Sequence, residues 1–146
     1  MSVAADVVTI LKNAAAVSAL CVTNPKTNTK AIRPDRLSQS DVLSGSLGGI
    51  EVTVAGNDYQ NDLGGSDKTG IHKLLIDCVA LNSTAANNMA DKVEDVIEPY
   101  RGATAGGFIE AVELIDRRED WATTEDGQDT GEYVVEVECN VIYRRS

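Results

Sequence analysis

The last stretch of the chain alternates without a break. Tyr133, Val135, Val137, Cys139, Val141 and Tyr143 fall on one face, and Val134, Glu136, Glu138, Asn140, Ile142 and Arg144 on the other. The first face is wholly apolar or aromatic and the second mostly polar, which is the two-residue period of a strand with one buried face. Asp129-Thr130-Gly131 is a turn signal before it, and Arg144-Arg145-Ser146 follows it. A terminal segment so patterned is tied into a sheet, and the apolar face of that sheet needs a covering layer.

Two helices supply the cover. Val3, Val7, Ile10, Leu11, Ala14 and Val17 recur at helical spacing, with Ser2 as N-cap and Asp6 in the first turn, so a helix is predicted over 2–20. Asn82-Ser83-Thr84 caps a second helix over 83–98, whose apolar stripe is Ala86, Met89, Ala90, Val93, Val96 and Ile97; Pro99 ends it. Further strands are predicted near 50–54, 71–81 and 108–116, besides the terminal one over 133–143, with a short strand at 31–33 before Pro34. In the third long strand, Ile109, Ala111 and Ile115 fall on one face and Phe108, Val112 and Leu114 on the other. The expected fold is α+β: a single domain over 1–146, with one mixed, mostly antiparallel sheet of four to five strands and two helices packed on one face. The segment 71–81 breaks the one-sided rule, since both its faces are mostly apolar. Its second face wants a cover, either a loop of the same chain or a neighbouring subunit.

Two long polar stretches separate these strands. Gly56–Gly70 carries Asn57, Asp58, Asn61, Asp62 and Asp67, and 117–130 carries the only tryptophan, Trp121. Both read as loops, and loops of this length are usually functional or disordered. Asp58, Tyr59, Asp62 and Asp67 in the first, and Arg117, Arg118 and Trp121 in the second, are the candidate interface residues. Trp121 is either a lid over the sheet edge or a contact residue.

Composition narrows the function. The net charge is −10 and the pI near 4.4, without a basic stripe, so no nucleic-acid binding is expected. The three cysteines show no Cys-x-x-Cys or Cys/His spacing, which argues against a disulfide framework or a zinc site and fits a reducing cytoplasm. No basic, apolar leader and no membrane-length apolar run is visible in the sequence. The single histidine, His72, reads as an exposed or edge-strand residue, and no Gly-x-Ser-x-Gly elbow is present. Asp58, Asp62 and Asp67 lack calcium-loop spacing, and the glycines of 102–107 follow a helix and precede a strand, the wrong order for a phosphate cradle. No catalytic, metal or cofactor site is expected.

Three blocks together resemble the tail terminator, or tail-completion (tail-to-head joining), proteins of long-tailed bacteriophages. The first is Leu74–Leu81 followed by the alanine-rich helix Asn82–Val93; the second is Gly102–Gly107 leading into Phe108-Ile109-Glu110-Ala111-Val112. The third, and the most specific, is Asp129-Thr130-Gly131-Glu132-Tyr133 leading into the aromatic-ended terminal strand. The segment 40–49 departs from the family pattern, having no proline. The resemblance implies a non-enzymatic virion protein of the tail or neck, made in the host cytoplasm. It implies a homo-oligomeric ring, commonly a hexamer, whose partners are the major tail tube protein and the head-connector or neck protein. A neck or head-closure protein, and a small α+β ligand-binding or regulatory module, are the other readings. Composition alone generates one outcome: duplex DNA mixed with the protein at physiological salt should give no shifted band in a gel, whereas tight, salt-sensitive binding would contradict the charge argument.

Overall fold

Two long hairpins make the sheet, and they are much longer than the alternation in sequence suggests. A computed structural model describes residues 2–62, 65–123 and 129–145, with the backbone alone for 57–62, 65–68, 121–123 and 129–130. The strands are β1 Ile32–Pro34, β2 Gly49–Asp62, β3 Gly65–Ala80, β4 Gly102–Ala103, β5 Gly107–Thr123 and β6 Asp129–Arg145. They form one six-stranded sheet in the order β1-β2-β3-β6-β5-β4. Only β1 runs parallel to its neighbour. The expectation of four to five strands is thus corrected to six, and the stretches read as loops, 56–70 and 117–130, are mostly strand. Their polar residues still pair as backbone, because a ladder needs N–H and C=O groups rather than apolar side chains.

The expected helix over 2–20 is two helices, α1 Val3–Asn13 and α2 Ala15–Ser18. Ala14 is extended (φ −86°, ψ 107°) and breaks the run. Ser2 caps α1, its Oγ accepting from the Ala5 N–H at 3.1 Å. The third helix, α3 Ser83–Ile97, is capped in the same way by Asn82, which accepts from the Ala85 N–H at 2.8 Å. These caps satisfy amide groups that the first helical turn leaves without a partner.

The helices cover one face. Leu74, Ile76, Cys78 and Ala80 of β3 and Val135, Val137, Cys139, Val141 and Tyr143 of β6 are buried with Ile50, Val52 and Ile109 against Leu11, Val17, Met89, Ala90 and Val93. The terminal strand therefore faces as its pattern predicts. The faces of β5 do not: a register shift between Ile109 and Ala111 puts Val112 and Leu114 on the Ile109 side, opposite Val141 and Cys139. His72 is another correction. It lies 5% exposed on central β3, on the core side, edge-on to Tyr143 with ring centroids 5.6 Å apart.

The segment between α2 and β2 is folded by its own polar node. Buried Asn24 accepts from the Lys26 and Thr27 N–H groups and donates to Asp41 at 2.7 Å. Asp41 also accepts from both Arg33 Nη2 at 2.9 Å and Arg33 Nε at 3.2 Å. These bonds hold the Asp41 carboxyl near pKa 2, well below the usual carboxylate range. Leu37 packs on Gly49, and 36–43 reaches across to Val79 on the helix-free side. A loop of the same chain thus borders the second face of β3 at Val79.

One carboxylate ties the chain's two ends. Asp6, in the first turn of α1 and 2% exposed, accepts from Tyr143 Oη at 2.5 Å, Thr104 Oγ1 at 2.7 Å and the Gly106 N–H at 3.3 Å. Asp6→Ala would leave the buried Tyr143 hydroxyl without this acceptor, and bonds to a charged group carry more than neutral ones. Urea unfolding of that variant should show a loss of about 3 kcal/mol, and Tyr143→Phe about half of that.

Candidate interface

The register places the candidate residues in two groups. Asp58 pairs with Ile71, Tyr59 with Gly70 and Asp62 with Gly65, and Asp67 lies on β3, so these four share the β2–β3 hairpin. Arg117 pairs with Val137, Arg118 with Glu136 and Trp121 with Tyr133, so these three share the β5–β6 hairpin. Because β3 and β6 are antiparallel, the two hairpins leave the sheet at opposite ends. Thr69 is level with Arg144 near the finish of β6, whereas Ala80 is level with Tyr133 near its start. The ten residue steps of β3 from Gly70 to Ala80 separate the two ends by roughly 33 Å. The side chains of Asp58, Tyr59, Asp62, Asp67 and Trp121 lie outside the described residues.

Adjacent in sequence, Arg117 and Arg118 have different surroundings. Arg117 lies on the helix side, where its guanidinium donates to Asp91 Oδ1 at 2.7 Å, Glu94 Oε2 at 3.3 Å, Asn87 Oδ1 at 2.6 Å and the Asn87 carbonyl at 3.1 Å. It clamps the root of the β5–β6 hairpin to α3. Arg118 lies on the helix-free face, half in solvent, 3.4 Å from Asp116 and 3.8 Å from Glu136.

That face carries a row the sequence did not suggest. Arg33, Glu51, Asp77, Glu136 and Arg118 are successive cross-strand partners over five strands. With Arg33 committed to Asp41, the middle of the row is three carboxylates side by side. Asp77 Oδ1 is buried and makes no hydrogen bond. Burial, then the negative charge of Glu136 and a hydrogen bond with it, then the charge of Glu51, push the Asp77 carboxyl up to about 7. Burial also raises Glu51, against the Leu37 N–H and Arg36. Like charges in adjacent strands cannot all ionise cheaply, so Asp77 holds its proton near neutrality. Among the described residues, no His, Cys, Asp or Glu group is arranged to hold a metal.

A second cluster was also invisible in sequence. The guanidiniums of Arg101 and Arg144 lie 5.2 and 5.1 Å from the Phe108 ring centroid, and Glu110 bridges both at 3.5 and 3.3 Å. It sits near the β2–β3 end of the sheet. Cross-strand pairing of β5 with β6 assembles it, and no local spacing signals that.

The remaining chemistry is structural. Cys21, Cys78 and Cys139 are buried and free; burial pushes Cys21 and Cys139 up to about 12 and Cys78 up as well, so none is a thiolate at neutral pH. Burial and then Arg145 lower His72. A cleft of about 240 Å³ beside α1 is lined by Asp6, Thr9, Tyr100 and Thr104, whose polar groups already bond within the chain. Among the described residues, no helix is long and apolar enough to cross a membrane.

No protein-family model matches the chain, and no curated protein matches it in sequence. Its fold is shared with a chain of the virion of a native gene transfer agent particle, at 16% identity and a TM-score of 0.65, over 98% of this chain and 95% of that one.

The carboxylate row sets a pH dependence. Asp77 has a folded pKa above its unfolded value of 3.8, so the stability from its bound proton is fully present below the unfolded value and is lost as pH rises through about 7. The melting temperature should therefore fall between pH 6 and pH 8.5. Asp77→Asn should flatten that part of the profile and melt higher than the parent at pH 8.5; a parent and variant with parallel profiles would refute this account.

Proposed function

We propose that the chain is a virion structural protein that caps a tail tube as a homo-oligomeric ring and joins the tail to the head. It acts without catalysis in the tail or neck of the particle, after synthesis in the host cytoplasm. The observation that carries this reading is a fold shared over nearly the whole length with a chain of a gene transfer agent virion. The three sequence blocks that resemble tail terminators point the same way. A ring of six is the number the resemblance implies.

The placement of the hairpins fits a joining role. A piece between tube and head must contact different proteins at its two ends, and this sheet extends a hairpin arm from each. One arm carries Asp58, Tyr59, Asp62 and Asp67, and the other Arg118 and Trp121. On this reading the arms meet the major tail tube protein and the head-connector or neck protein. Arg117 anchors its arm from within, through Asp91, Glu94 and Asn87. A rigid sheet positions such arms better than free loops would.

Purified tail tubes lacking the protein test the proposal. Added protein should sediment with the tubes and appear as a ring at the end of each in negative-stain images. Trp121→Ala should keep the parent's melting temperature and lose capping; an equal loss of stability in the free subunit would make Trp121 part of the fold instead. Binding to the head connector but not to tubes would assign the protein to neck or head closure. A protein that remains monomeric both free and with tubes would defeat the ring.

A further inference from the structure

The sheet has two long unpaired margins. On one side, β1 covers β2 only at Ile50, Glu51 and Val52. On the other, β4 covers β5 only at Phe108 and Ile109. Among the described residues, β2 beyond Val52 and β5 beyond Ile109 pair with no further strand on their outer sides. Exposed margins of this kind template pairing with another chain, and natural sheets blunt them with lysine, proline, other charges or bulges. Neither lysine nor proline occurs in 53–62 or in 110–123, although β5 carries charges there and both strands carry register shifts.

The margins match in direction and in height. From β2 through β3 and β6 to β5 each neighbour is antiparallel, so β2 and β5 run in opposite directions. A copy placed alongside by rotation about an axis along the strands presents its β2 antiparallel to β5, and the alternation continues across the junction. Cross-strand rows give the heights. Val54 is level with Leu74, Cys139 and Leu114, and Thr53 to Asp58 span the same height as Asp116 to Ala111. That overlap is about 20 Å of strand. The exposed apolar side chains supply an independent observation. Val54 is 40% exposed on β2, and Ile115, beside Leu114 in a register shift, is 45% exposed on β5. Among the residues whose side chains are described, they are the two exposed large hydrophobics that lie in strands, one on each open margin and at nearly one height.

We propose that copies of this chain join by edge pairing of β2 from one copy with β5 of the next, Val54 meeting Ile115 across the junction. This rests on the ring reading and specifies its contact: a head-to-tail interface between two different margins, which closes into a ring when the rotation closes. Backbone hydrogen bonds carry the junction and the Val54–Ile115 contact sets its register, as in strand addition to a sheet edge.

Cysteine cross-linking tests it in the full chain, because the three native thiols are buried. Val54→Cys and Ile115→Cys are made separately, assembled on tail tubes alone and as an equal mixture, and treated with a short bis-maleimide. Sedimentation of the same samples reports assembly. The mixture should give a cross-linked dimer, each variant alone should not, and a chain with both changes should give a ladder ending at the ring number. Assembled mixtures without cross-links overturn edge pairing and leave the ring standing. Cross-linking of either variant with itself as efficiently as in the mixture shows two-fold pairing and also overturns it. Failure to assemble at all, parent included, overturns the ring reading together with it. A second variant, Val54→Lys with Ile115→Lys, should melt like the parent and lose assembly at least tenfold in half-maximal concentration; undiminished assembly counts against the proposal.

Discussion

The antiparallel pairing of β3 with β6 is the spine on which the rest of the molecule depends. It joins residues some sixty positions apart in sequence through twelve consecutive partners, from Thr69 with Arg144 to Ala80 with Tyr133, without a register shift. Both strands are central, and each carries one of the hairpins outward; α3 rests on their shared apolar face while α1 lies over β1 and β2. The opposite directions of the two arms are a consequence of this pairing alone. The pairing is also non-local, so its loop-closure cost comes before its packing gain. Asp6 offsets part of that cost from the other side, fastening α1 to Thr104 and Tyr143 so that the helix layer and the C-terminal strand are fixed together.

How much of this was legible in sequence depends on where each element's signal resides. β6 was legible because it is half-buried and unbroken, so its pattern and its burial coincide residue by residue. α3 was legible through its cap and its apolar stripe. The outer lengths of β2, β3 and β5 were not, because their residues are mostly polar and carry no period-two alternation of apolar positions to read. In β5 the shifts at Ile109/Ala111 and Leu114/Asp116 reverse the faces, so a strict period assigned Val112 and Leu114 to the wrong side. His72 misled because a polar type at the start of an apolar run looks like an edge. It is buried because Tyr143 and the pairing of β3 with β6 enclose it.

The candidate site was legible only as two polar stretches. Their grouping into opposite arms needed the register, and the split of Arg117 from Arg118 needed the two faces of β5. Asp91, Glu94 and Asn87 lie off the apolar stripe of α3, and in space they form the pocket that holds Arg117. The carboxylate row had no local signal either, since Glu51, Asp77 and Glu136 come from three strands. It shows how an acidic chain accommodates its carboxylates: where three meet, Asp77 keeps its proton to much higher pH than an ordinary carboxylate, while Arg118 takes the outer side of Glu136. Acidity on the helix-free face is also unfavourable to phosphate backbones, in keeping with the absence of duplex-DNA binding expected from composition.

Edge pairing and curvature act on each other. Single-residue shifts in the body of the sheet fall on β2, at Val54/Gly56, and on β5, at Ile109/Ala111 and Leu114/Asp116, whereas the shifts at Tyr59/Asn61 and Trp121/Thr123 skip residues of β3 and β6 as well; the pairing of β3 with β6 has none. A shift bends its strand and increases local twist, so both margins are curved where the spine is regular. A curved margin pairs poorly with the flat strand of an unrelated chain, which limits indiscriminate aggregation. It pairs well with a margin of matching shape, and the matching margin belongs to another copy of the same chain. In the proposed assembly, curvature at each junction would turn successive copies by a constant angle, and a constant turn closes a ring instead of extending a flat sheet. On that proposal the bulges that obscured β5 in the sequence are the features through which one strand edge is safe in the free subunit and specific in the assembly.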